Sequence, residues 1–166
     1  MTNLWKKEFK AENIQSPRDI LDEQANILAE MTNGVIIAKT DEYEGRMRSG
    51  KIGGLKTLGL DVFEERDYDV QTDLGEISDK AFRFEFFITS AMTPNFKYRA
   101  MLFEYDITFY PVHITLDETI ANELKLDTYI ECDSLINFKK TLALILNSKK
   151  IETVINALLS MDNDDI

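Results

Sequence analysis

The chain holds 166 residues with a formal net charge of −11, and 44% of them are apolar and 30% charged, the proportions of one ordinary globular domain. Such a domain buries roughly 70% of its unfolded surface and needs no metal or disulfide to fold; a single cysteine, Cys132, excludes an internal disulfide and a cysteine-based zinc cage. No stretch reaches the ~18 uninterrupted apolar residues of a membrane span, the first residues lack the apolar run of a signal peptide, and the acidity works against phosphate backbones. The expectations are a reducing cytosol, no membrane contact, no direct nucleic-acid binding, no cofactor, and a preference for basic partners.

Residues 1–15 mix Leu4, Trp5, Phe9 and Ile14 with charges and read as an N-terminal arm or a short helix with an apolar side. Ser16-Pro17-Arg18-Asp19 then signals a helix start. Ser16 can cap, Pro17 suits the first helical position, and Asp19 stands three residues after the cap. At 100° per residue, Ile20, Leu21, Ile27, Leu28 and Met31 form one stripe that should face the core. Gln24 falls inside that stripe. It is expected to tie the helix to a strand end or loop, because an unpaired buried amide is costly. Asn33-Gly34 ends the helix.

A strand follows over Val35–Lys39, extending toward Tyr43. Residues 44–80 then read as a long insertion. Its first part, 45–60, holds five of the seven glycines and the cations Arg46, Arg48, Lys51 and Lys56, with no acid. From Asp61 to Asp79 the sign reverses, with Arg66 alone among the acids. Glycines let backbone amides approach an anion and cations neutralise it, so Arg46, Arg48, Lys51, Gly53 and Gly54 form a candidate anion- or nucleotide-binding loop. Gly45, Gly50 and Lys51 have the spacing of a phosphate loop, but Ile52 stands where its Mg²⁺-facing hydroxyl belongs. The plainer expectation pairs these cations with the acids that follow.

The centre is β. Phe82-Arg83-Phe84-Glu85-Phe86-Phe87-Ile88 alternates with apolar even positions. A turn at Thr93-Pro94-Asn95 leads to a strand over Lys97–Ile107, with Met101, Phe103, Tyr105 and Ile107 on one face and Tyr98, Ala100 and Leu102 on the other. A further strand covers Tyr110–Leu116, where Pro111 argues for an edge position or a bulge. Next come a weak helix near 118–124, a short extended piece at Thr128–Cys132, and a helix capped by Ser134 with Leu135, Phe138, Leu142, Ile145 and Leu146 on its stripe. Asn147-Ser148 breaks it from a last helix carrying Ile151, Val154, Ile155 and Leu158, and residues 162–166 form an acidic tail. The whole predicts a single α+β domain. Its mostly antiparallel sheet of four or five strands carries helices on one face.

No catalytic motif stands out. His113, the sole histidine, reads as a strand-surface residue. Glu104, Asp106 and Glu85 could hold a divalent metal for a hydrolase, but the lysine that restriction-type nuclease cores place after such acids is missing. Large groups on both sides of the β region suggest an uncovered aromatic face, and Trp5, Phe87, Phe103 and Tyr105 are its candidate partner-binding residues. The leading functional expectation is a cytosolic protein-binding or regulatory module that meets a protein partner or forms a homodimer. It would be of the inhibitor or immunity kind found in bacterial and phage conflicts.

Overall fold

A computed structural model describes residues 1–6, 8–11, 13–45 and 82–163. The candidate anion-binding residues Arg46, Arg48, Lys51, Gly53 and Gly54 lie outside the described residues, as does almost all of the 44–80 insertion.

Helix α1 spans Pro17–Met31 and opens as its sequence dictates. The Asp19 N–H donates to Ser16 Oγ at 3.1 Å and the Ser16 N–H to Asp19 Oδ2 at 3.1 Å, a reciprocal capping box. Its exit is stitched to the sheet by Thr32. The hydroxyl donates to Leu28 O at 2.9 Å and accepts from the Ile36 N–H at 3.1 Å, while Asn33 and Gly34 reverse the chain at positive φ.

Five strands follow, β1 Ile36–Glu42, β2 Phe82–Ser90, β3 Tyr98–Tyr105, β4 Val112–Leu116 and β5 Tyr129–Cys132. They form one antiparallel meander in chain order. Helix α2, Glu118–Leu124, lies between β4 and β5. Helices α3, Leu135–Leu146, and α4, Lys149–Asn163, complete the chain. The expected α+β class and antiparallel sheet are therefore observed, with the helices packed against the sheet. The acidic tail begins later than its composition suggested, because Asp162 and Asn163 belong to the last turn of α4.

One face of the sheet makes the core. Ile36 and Ala38, Phe84, Phe86 and Ile88, Met101, Phe103 and Tyr105, Val112, Ile114 and Leu116, and Cys132 meet Ile20, Leu21 and Ala25 of α1, Ile120 of α2, Phe138, Leu142 and Ile145 of α3, and Ile151 and Leu158 of α4. Side chains also fasten the helices to one another. Glu123 of α2 accepts the Lys149 N–H at 2.7 and 3.1 Å, so one helix caps the start of the next but one. Asp117, the N-cap of α2, spends its carboxylate on the Tyr98 hydroxyl at 3.0 Å instead of on its own helix.

Three expectations change. The face assignment of β3 fails before Met101, because Phe86 pairs with Met101 while Phe87 pairs with Arg99. Ala100 is the extra residue of a bulge, which returns Tyr98 and Ala100 to the core side. Its carbonyl accepts the Asp117 N–H at 3.1 Å, one step beyond the Met101–Leu116 pair of β3 and β4. The strand expected to run to Ile107 stops short of it, and Ile107 is 62% exposed. β3 ends at Tyr105, and a turn closed by Asp106 carries Ile107 outward. Pro111 marks neither an edge nor a bulge: β4 starts one residue later and lies between β3 and β5.

Candidate functional site

Antiparallel register decides where three of the four nominated aromatic residues go, Phe87, Phe103 and Tyr105. Phe84 pairs with Phe103, and directly opposed residues share a face. Phe103 and Tyr105 therefore stand on the helix side, 0% and 5% exposed, and are withdrawn as partner-binding candidates. They hold α1 in place. The Phe103 and Tyr105 rings lie 6.2 Å apart and near-parallel, and Arg18 of α1 covers Phe84 at 4.8 Å. Burial pushes the Tyr105 hydroxyl above its usual pKa, against the lowering effect of a hydrogen bond with Ser16.

Phe87 alone of the sheet aromatics nominated lies on the opposite face, and there it is covered rather than presented. Lys97 Nζ sits 4.2 Å from its ring centroid, and Phe87 is buried. Beside it, the buried Glu85 carboxylate pairs with Lys97 through one oxygen and with Arg99 Nε at 2.6 Å through the other. A desolvated carboxylate needs such partners. Along the next row Arg83, Glu104, His113 and Glu131 follow one another strand by strand. Arg83 Nε meets Glu104 at 3.2 Å; His113 Nε2 meets Glu131 at 3.0 Å and stacks on Tyr129 at 5.6 Å. Burial, then the charges of Glu104 and Glu131, raise the Tyr129 pKa.

His113 thus occupies the strand-surface position expected of it. The acids nominated for a metal are each engaged separately: Glu85 by Lys97 and Arg99, Glu104 by Arg83, and Asp106 by the Thr108 N–H at 2.8 Å. Among the described residues, no group of three His, Cys, Asp or Glu side chains converges in a way that could hold a metal ion. Cys132 is buried, and that burial raises its thiol pKa despite a hydrogen bond with Thr141.

The helix side carries two surface features. Between α1, α3 and α4 opens an apolar cleft of about 240 Å³, floored by Phe86 and Ile88 and walled by Leu28, Met31, Leu146 and Ile155. A second chamber of about 260 Å³ adjoins it, with Glu23 and Lys139 on opposite walls. Gln24, Ala143 and Leu146 line both. Gln24 faces the cleft instead of tying α1 to a strand end. The predicted stripe of α1 is correspondingly split: Ile20 and Leu21 are buried, while Met31 is 75% and Ile27 41% exposed.

The second feature is the outer side of α3. Its sequence, LINFKKTLALIL, is apolar nearly all round, a pattern that usually belongs to a helix enclosed on every side. Phe138, Leu142 and Ile145 face the core. Ile136 and Leu144 point away, 68% and 53% exposed, with the exposed Lys140 between them on the same surface. From Ser134 to Ile151 the chain carries Lys139, Lys140, Lys149 and Lys150 and no acid. The all-round apolarity of this segment is the sequence signal by which the surface could have been found. The cleft had none, since its walls come from three separate helices.

Trp5, the remaining nominee, lies in the arm and is 77% exposed. Comparison of the chain with family models, with curated proteins and with solved structures yields no match. Among the described residues, no helix is long and apolar enough to cross a membrane.

Proposed function

We propose that the chain is a protein-binding module, regulatory in the manner of an inhibitor, that docks its partner on the outer side of α3. The carrying observation is the exposure of Ile136 and Leu144 on a helix that is apolar nearly all round. Two exposed branched aliphatic side chains one helical face apart, with lysines around them, form an anchor-and-rim surface. The partner fitting it is a protein segment with aliphatic or aromatic anchors and flanking Asp or Glu, because Ser134–Ile151 is purely cationic. The net charge of −11 had favoured basic partners, but contact specificity is set by local charge. A cytosolic setting suits the lone buried cysteine.

The test is affinity capture from the cells that make the protein, comparing the wild type with Ile136→Asp/Leu144→Asp. Both positions are exposed, so the variant should melt within about 1 kcal/mol of the wild type. A stoichiometric companion that is retained by the wild type and lost by the variant supports the proposal. A companion held equally by both, or none in stoichiometric yield, overturns it.

A further inference from the structure

The cleft between α1, α3 and α4 pairs an apolar body with two carboxamides. Its floor is Phe86 and Ile88, each 1% exposed, and Leu28, Leu146, Ile151 and Ile155 supply aliphatic walls. Among the described residues, no Asp, Glu, Lys or Arg lines it. The carboxamides are Gln24 of α1 and Asn147 at the end of α3. Asn147 Nδ2 donates to Ala143 O at 2.8 Å and leaves the side-chain oxygen as an acceptor. Gln24 interrupts the apolar stripe of α1 and is half-buried, so whatever excludes water from the cleft has to hydrogen-bond its amide. A seam closed by protein alone would be better served there by leucine, which has no polar group to desolvate.

From these we infer that the cleft is a binding site for a small uncharged amphiphile, a single ring or short aliphatic body carrying one hydroxyl or amide group, with Gln24 as the residue that reads the polar end. Size sets the first limit. An apolar cavity of about 150 Å³ takes up benzene; this cleft measures about 240 Å³ and adjoins a chamber of about 260 Å³, which is room for one substituted ring. Lining chemistry sets the second. A carboxylate or an ammonium would lose its water over Phe86 and Ile88 with no opposite charge lining the cleft. The charges of the adjoining chamber, Glu23 and Lys139, are exposed and opposite in sign, and Glu23 already accepts from Gln15 Nε2 at 2.9 Å, so they favour neither kind of ion. Met31, 75% exposed in the wall, adds a flexible thioether that can follow ligands of different outline. The site does not involve the outer side of α3 and stands or falls without that reading.

The experiment is a methyl-detected NMR titration of the full chain with benzyl alcohol, ethylbenzene, benzoate and benzylammonium, probes that share one ring and differ in the head group. Expected are saturable shifts of the Leu28, Ile88, Leu146, Ile151 and Ile155 methyls with benzyl alcohol, and binding at least about tenfold weaker for the two ions. Gln24→Leu should move the affinity ratio of benzyl alcohol to ethylbenzene by about tenfold toward ethylbenzene. Ala143→Phe, which places a ring at an exposed position lining both chambers, should abolish the shifts. The inference is overturned if no probe shifts these methyls saturably, or if either ion binds as tightly as the alcohol. A ratio unchanged by Gln24→Leu overturns it as well, and so does binding indifferent to Ala143→Phe, which would be adventitious contact elsewhere on the surface.

Discussion

The two faces of the sheet use the same strands for opposite chemistry. On the helix side, Phe84, Phe86, Met101, Phe103 and Tyr105 are buried carbon against carbon. On the other, Glu85 with Lys97 and Arg99, Arg83 with Glu104, and His113 with Glu131 form a lattice of paired charges. Apolar burial is non-directional and accumulates with area. Ion pairing offsets desolvation only when partners are present in good geometry. The helix face should therefore dominate stability, while the charged face should be sensitive to which partner is removed.

The largest expected effect tests the first half of that contrast. Phe103→Ala should cost about 3–5 kcal/mol, because the side chain is fully buried and its neighbours cannot all collapse into the space. A urea titration giving less than about 1 kcal/mol would mean that the core lies elsewhere. The charged face is probed next by an asymmetry. Lys97→Met/Arg99→Met strands the buried Glu85 carboxylate and should cost about 2–4 kcal/mol. Glu85→Gln leaves two cations that are each two-fifths or more exposed and can rehydrate, so it should cost about 1 kcal/mol. Equal losses in the two would remove the case for a desolvated carboxylate.

A pH experiment separates the faces further. Burial, then the hydrogen bond with Asp117, holds the Tyr98 hydroxyl well above its ordinary pKa. A raised folded-state pKa contributes stability that is fully present below about pH 10, the unfolded value, and is lost as pH climbs beyond it. Wild-type stability should accordingly fall between pH 9 and 11, both on the order of the phenol's titration range. Tyr98→Phe should lessen that fall, to which Tyr105, Tyr129 and Cys132 also contribute, while costing about 1 kcal/mol at neutral pH. An unchanged alkaline slope would place the titrating group elsewhere. The smallest effect belongs to Arg83 and Glu104, which remain 44% and 25% exposed. A double-mutant cycle there should return about 0–1 kcal/mol and shrink with added salt.

Local signals in the chain located every described element. Ser16, Pro17 and Asp19 announce α1, Ser134 announces α3, and Asn147-Ser148 marks the break before α4, because capping and turn chemistry act within a few residues. Face assignment was less secure. The alternation of β3 is true from Met101 to Tyr105 and inverted before it, since one inserted residue reverses every side chain upstream. That single bulge also moves Tyr98 into reach of Asp117.

The candidate surfaces were legible in proportion to how local they are. The apolar girth of α3 is visible in twelve consecutive letters, and the aromatic arm is equally plain. Phe103 and Tyr105 looked like surface candidates because alternation gives two faces without saying which one the helices will cover. The cleft depends on how far α1 sits from α3 and α4, a spacing that no single segment encodes.

Hydrophobic period, caps and turns are properties of neighbours along the chain, and they were enough to specify the α+β class, the existence of each strand and helix, and the start of α1 and α3 from residue order alone. Strand register, the covered face of the sheet and the gap beside Gln24 arise from contacts between residues tens of positions apart, such as Phe84 with Phe103. Those were decided only when the packed structure chose which apolar surfaces to bring together, and left Ile136, Leu144, Trp5 and Phe9 facing solvent.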